Sequence, residues 1–219
     1  MNNENASYCK LTHDNYENYK WRNTMKKSNL IGLFACISLL SLSTVHSQSL
    51  KMAGSSKLWI DGTSTLHDWK CDAKGIFGNF SIPDDVFGAK VGEDIDIKAS
   101  IQIPVNKIWN KEEKLVENLR EALEDDKFSS IKYTVIKATV ISSDANNAKV
   151  RTNGKLAIHG NEKNVTIDVQ LAKQASGMEA KGSYSLKMKD YDVDPPTMFL
   201  GTIKTGNEIK ISFELDLTK

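Results

Sequence analysis

Cysteine, proline and aromatic residues are all scarce in this chain. Three cysteines in 219 residues cannot make a disulfide-dense scaffold. Four prolines and thirteen glycines, without a repeat period, exclude collagen-like and low-complexity fibres. Charge of one sign is missing too. The 29 basic and 28 acidic side chains leave a net charge of +1, which is no electrostatic footprint for nucleic acid. A hydrophobic share of 40% with a mean hydropathy of −0.40 excludes a polytopic membrane protein and a wholly disordered chain. The longest apolar run, Leu30 to Leu42, has 13 residues. A membrane-spanning helix needs ~20.

That short run has a different reading. Met25-Lys26-Lys27 precedes it, and Ser43-Thr44-Val45-His46-Ser47 follows it. Basic, apolar and small-residue regions in this order form a secretory signal peptide, over residues 25–47 with cleavage before Gln48. A buried helix is the alternative. Cys36 invites a lipoprotein reading, but the apolar run continues past it. Residues 1–24 are polar and Asn-rich, and read as a mis-called upstream start or a disordered extension. The expected destination is the periplasm or another exported location. Cleavage would leave 172 residues with 24 basic and 25 acidic groups, and Cys71 as the lone thiol. Without an internal disulfide, stability must come from one core, and a chain of this size can supply it.

The expected domain, residues 48–219, is rich in period-2 alternation. Ile95, Ile97, Ala99, Ile101 and Ile103 alternate with polar residues, as do Val165, Ile167, Val169 and Leu171. Ile209, Ile211, Phe213, Leu215 and Leu217 do the same. Such alternation makes half-buried strands. Weaker runs near 55–64, 67–82, 131–142, 147–159 and 178–188 bring the number to about eight. Turn signals at Asp144–Asn147, His159–Asn161 and Ser176-Gly177 separate them. Short connections imply antiparallel neighbours, hence an all-β barrel or sandwich. One amphipathic helix interrupts the series. Leu115, Val116, Leu119, Ala122 and Leu123 share a face, and Asn110 with Glu113 suggests a capping box opening a helix of four turns. This helix needs a soluble core to pack on, and the aromatic residues are too few for two girdles. Both features argue against an outer-membrane barrel.

Two segments depart from strand chemistry. The first, GTSTLHDW at 62–69, groups Ser64, His67 and Asp68. A hydrolase using these three is one reading, although neighbours on a strand point to opposite faces. The other reading is a tight turn whose polar groups bond the backbone while Trp69 packs. The second segment, Lys189 to Gly206, has no period but carries Tyr191, Val193, Met198, Phe199, Leu200 and Ile203. It reads as a lid over a barrel mouth or an ordered Ω-loop. Gly201 to Gly206 lacks the spacing of a phosphate loop. His67, Cys71 and His159 lack the paired spacing of a zinc site, so no metal is expected.

GTSTLHDW at 62–69, ENLREALEDDKFSSIKYTV at 117–135, GKLAIHG at 154–160 and Pro195-Pro196-Thr197 with GTIKTG up to Phe213 together resemble the YceI-like polyisoprenoid-binding family of exported bacterial proteins. The resemblance implies an eight-stranded antiparallel, lipocalin-like barrel with the helix inserted after the third long strand. It further implies an apolar lumen holding a long isoprenoid chain, such as a prenyl pyrophosphate or quinone tail, in a carrier or reservoir. It carries over no catalytic residue, so a non-enzyme is expected, with a structural envelope protein containing a filled barrel as the rival. The expected partner is an isoprenoid or other lipid. No nucleic acid, membrane span or cofactor is expected, and a homodimer is allowed but not required.

Small side chains at Ala99, Ala157, Ala180 and Gly182 would leave lumen space. The ligand contacts expected at the mouth are Trp69, Tyr191, Met198 and Phe199 for the chain, with His67 and Lys204 for a polar head.

Overall fold

A computed structural model describes residues 49–198 and 200–219. The expected extension, the signal segment with its cleavage point, and Phe199 lie outside these residues. Among the described residues, thirteen strands and one α-helix follow in order: β1 (Ser49–Met52), β2 (Lys57–Ser64), β3 (Trp69–Ala73), β4 (Phe77–Ser81), β5 (Asp94–Ile95), β6 (Lys98–Pro104), β7 (Ile108–Trp109), α1 (Glu113–Ala122), β8 (Ser130–Ser143), β9 (Asn147–Ile158), β10 (Asn161–Gln174), β11 (Gly177–Lys187), β12 (Thr197–Met198) and β13 (Ile203–Thr218).

The strands close into an eight-stranded antiparallel ring in the order β1-β4-β6-β8-β9-β10-β11-β13, and β13 returns to pair with β1. Three long strands are each broken into two pieces. β2, β3 and β7 continue the paths of β1, β4 and β6 and pair beside the other half of β13. The single run expected over 67–82 is one such broken strand. Its break holds Gly75 at φ 63°, a conformation that costs glycine no steric penalty. The tight hairpin between β9 and β10 puts both His159 (φ 51°) and Gly160 (φ 75°) in the left-handed region, as its two central residues require.

Inward and outward faces follow the pleat. On β9, residues 148, 150, 152, 154, 156 and 158 are buried and the residues between them are not. Ala157 therefore points outward, and the expectation that it clears the lumen is corrected: it sits one residue out of phase with Leu156 and Ile158. Ala99, Ala180 and Gly182 do contribute to the interior. The outer face carries cross-strand ion pairs, among them Arg151 donating to both carboxylate oxygens of Asp168 at 2.8 and 3.0 Å.

The helix is shorter than its sequence pattern suggests, ten residues instead of four turns. Glu112, not Asn110, occupies the N-cap and makes no side-chain capping bond. Asn110 is engaged elsewhere: its Oδ1 accepts from the Glu112 amide (2.7 Å) and its Nδ2 donates to the Lys70 carbonyl (2.6 Å). It ties the helix entry to β3 without capping the helix. Leu115, Leu119, Ala122 and Leu123 pack against the barrel core. Glu124, at φ 46°, then turns the chain out of the helix.

Candidate functional site: an apolar lumen in three chambers

Inward side chains of the barrel enclose three small cavities of about 60, 50 and 60 Å³. Their order along the axis can be read from single strands. On β13, Ile209 lines the first, Ile211 the first and second, Phe213 the second and third, and Leu215 and Leu217 the third. On β8, Ile131, Tyr133 and Val135 repeat that order. The cavities therefore form a line. No charged side chain lines any of them among the described residues.

The first cavity lies under α1, whose Leu115 and Leu119, with Leu123 at its C-cap, form one wall. Trp69, Tyr191 and Pro196 contribute others. Trp69 is buried, and its indole N–H is satisfied by the Thr63 carbonyl at 3.1 Å. Tyr191 is only 2% exposed, and its hydroxyl has no hydrogen-bond partner among the described residues. Burial pushes its phenol up to about 12, with Tyr184 and Asp190 adding to the shift. Cys71 is buried as an inert thiol, and burial raises it to about 11.

Of the residues expected at the mouth, Trp69 and Tyr191 line this cavity, while His67, Met198 and Lys204 are not among its lining residues. The two segments that carry them nevertheless meet. The Thr65 amide donates to the Lys204 carbonyl (3.0 Å), and the Lys204 amide donates to Thr65 Oγ1 (3.1 Å). The 189–206 segment is less irregular than its sequence suggests. A 3₁₀ turn over Met188–Tyr191 buries Met188 and Tyr191, and Thr197 and Met198 pair with Lys204 and Ile203. His67 and Lys204 are exposed.

Ser64, His67 and Asp68 do not form the arrangement a hydrolase needs. Ser64 Oγ accepts from the Leu66 and His67 amides (both 3.2 Å) and donates to the His67 carbonyl (2.7 Å). His67 Nδ1 donates to the Asp68 carbonyl (2.8 Å). The hydroxyl closes a turn, and the bond from Nδ1 ends on a backbone carbonyl, not on the Asp68 carboxylate. Among the described residues no group of His, Cys, Asp and Glu is placed to hold a metal ion, and no helix is long and apolar enough to cross a membrane.

Most of the cavity wall was missed as a site from sequence. The helix face was visible as an apolar stripe. What it covers was not, because Ile60, Ile158, Leu186 and Ile211 come from four strands far apart in the chain.

Solved structures that share the fold include the following three. The crystal structure of Burkholderia cenocepacia BcnA is 16% identical, with a TM-score of 0.60 over 75% of this chain and 96% of that one. A polyisoprenoid-binding domain from Saccharophagus degradans, implicated in plant cell wall breakdown, is 15% identical, with a TM-score of 0.57 over 79% and 99%. The Campylobacter jejuni YCEI protein is 14% identical, with a TM-score of 0.52 over 68% and 84%. No curated protein sequence matches the chain. The model of the YceI-like domain matches residues 44–217, most of the chain, which therefore belongs to the YceI-like domain family.

Proposed function

We propose that this protein holds a polyisoprenoid or similar long apolar chain in its barrel lumen, as a carrier or reservoir and without catalysing a reaction on it. The observation that carries this reading is the line of three apolar cavities free of charged lining residues. The likeness to a domain described as polyisoprenoid-binding supports the same class of ligand. Burying a hydrocarbon chain contributes ~0.8 kcal/mol per CH₂, so a long chain needs no strong head-group site to bind tightly. The cavities are narrow, and a chain enters the lumen only as its lining side chains give way. Trp69 and Tyr191 contact the chain under α1. Met198 extends that contact toward the rim, and His67 and Lys204 meet a polar head there; Phe199, outside the described residues, is a further proposed contact to the chain. Such a head, a pyrophosphate or a quinone ring, stays at the rim if it is charged, because burying an unpaired charge in the lumen is prohibitive.

Export is part of this proposal, through the signal peptide read over residues 25–47. Native mass spectrometry of gently purified protein tests the binding reading. One lipid mass per protein is expected. A barrel that is empty in every preparation, and stays empty when incubated with polyprenols, favours a filled structural protein instead.

A further inference from the structure

The second and third cavities meet at Ile101, Tyr133, Ile167 and Phe213, and the two aromatic rings are the bulkiest of these side chains. Tyr133 and Phe213 line both of these cavities and do not line the first. Each ring rests on an inward-facing glycine of the neighbouring strand. A Cβ on Gly154 would lie 2.7 Å from Tyr133 Cε2 and Cζ, and a Cβ on Gly182 would lie 2.6 Å from Phe213 Cζ. The rings thus fill the space that wall side chains would otherwise take.

The two rings are held differently. The Tyr133 hydroxyl sits 2.8 Å from Thr152 Oγ1, and that hydroxyl donates to the Ile167 carbonyl at 3.0 Å. With the Thr152 proton committed to the backbone, Tyr133 is the donor and its ring is tethered. Phe213 has no polar atom to tether it and is held by packing in the space that Gly182 leaves.

We propose that Tyr133 and Phe213 form a waist that sets the length of chain the barrel accepts, with Tyr133 fixed and Phe213 as the floor. This rests on the proposed function and adds a chain-length preference to it. The third cavity extends along β13 from Phe213 to Leu217. At ~3.3 Å per residue and a tilt of ~40°, those four residues add about 10 Å along the axis, room for about two isoprene units.

The test loads the delipidated full chain with a ladder of polyprenols, from farnesol to undecaprenol, and reads the longest one retained by native mass spectrometry. The wild type should show a sharp upper length. Phe213→Ala should raise it by about two isoprene units at ~5 Å each, the depth of the opened chamber. Tyr133→Phe, which keeps the ring and loses the tether, should blur the cut-off without removing it. If Phe213→Ala does not fold, Phe213→Leu serves, with a smaller shift in the same direction. An unchanged upper length in a folded, loaded Phe213 variant overturns the waist and leaves the binding function standing. A wild type that retains no polyprenol of any length overturns the binding function, and the waist with it.

Discussion

Thr65 and Lys204 bind each other twice, amide to carbonyl at 3.0 Å and amide to side-chain oxygen at 3.1 Å. This clasp joins the β2–β3 turn to the hairpin formed by β12 and β13, segments separated by 139 positions. Trp69 follows the first segment and Pro196 precedes the second, and both line the cavity under α1. Replacing Thr65 with Val removes the side-chain acceptor and keeps the amide bond. The expected loss is about 0.5–1.5 kcal/mol of stability, near the lower end because the site is exposed. Hydrogen exchange at the Lys204 amide should quicken selectively. Unchanged protection there would mean that the clasp does not hold the rim.

Much of this architecture was legible in the sequence because a pleated strand writes its burial pattern at period two. Ile209 to Leu217 and Val165 to Leu171 lie on the faces that their alternation predicts for that reason. Ala157 departs from expectation because small size is no sign of the lumen; its phase relative to Leu156 puts it outside. The pairing of rings with glycines was not legible at all. It depends on register between strands, as where Gly182 stands opposite Phe213. In the 189–206 segment Tyr191 and Val193 stand out in the sequence as apolar residues, but their burial is not legible there, because it comes from a 3₁₀ turn and the left-handed Asp192 that ends it, not from any repeating pattern.

Gly62 supports Trp69 in the same way that Gly182 supports Phe213. A Cβ added at Gly62 would collide with the six-membered ring of Trp69. Gly62→Ala should therefore cost about 1–3 kcal/mol through overpacking. It should also displace the indole and shift the tryptophan fluorescence. Gly54, which has nothing within 4 Å of an added Cβ, is the control and should tolerate Ala with little change. Equal denaturant midpoints for the two variants would contradict the packing described for Trp69.

Tyr191 buries a hydroxyl with no partner, and such a group costs about 1–3 kcal/mol in lost hydration. Tyr191→Phe keeps the ring and should raise stability by about 1 kcal/mol, measured by urea denaturation. A variant less stable than the wild type would show that the hydroxyl does find a partner in solution.

Alkaline pH should destabilise the fold. Burial, helped by the negative charges of Asp72 and Glu112, raises the Cys71 thiol from 9.0 to about 11. Burial likewise raises Tyr191 from 10.0 to about 12. Both groups keep their protons longer in the folded state than in the unfolded one. Their contribution is thus complete below about pH 9 and is lost as pH climbs toward 11 and 12. Denaturant midpoints should hold level up to about pH 9 and then fall. Cys71→Ala should flatten the first part of that fall. A midpoint that rises above pH 9 would contradict the sign.

The most direct measurement of whether a chain enters the lumen is photo-crosslinking with a polyprenol carrying a diazirine at its tail, followed by peptide mapping. Threading through the barrel predicts adducts on inward-facing residues such as Ile131, Ile211 and Phe213, and their loss when unlabelled polyprenol competes. Adducts confined to outward-facing residues such as Lys155 and Lys210, or none that competition removes, would contradict binding inside the barrel.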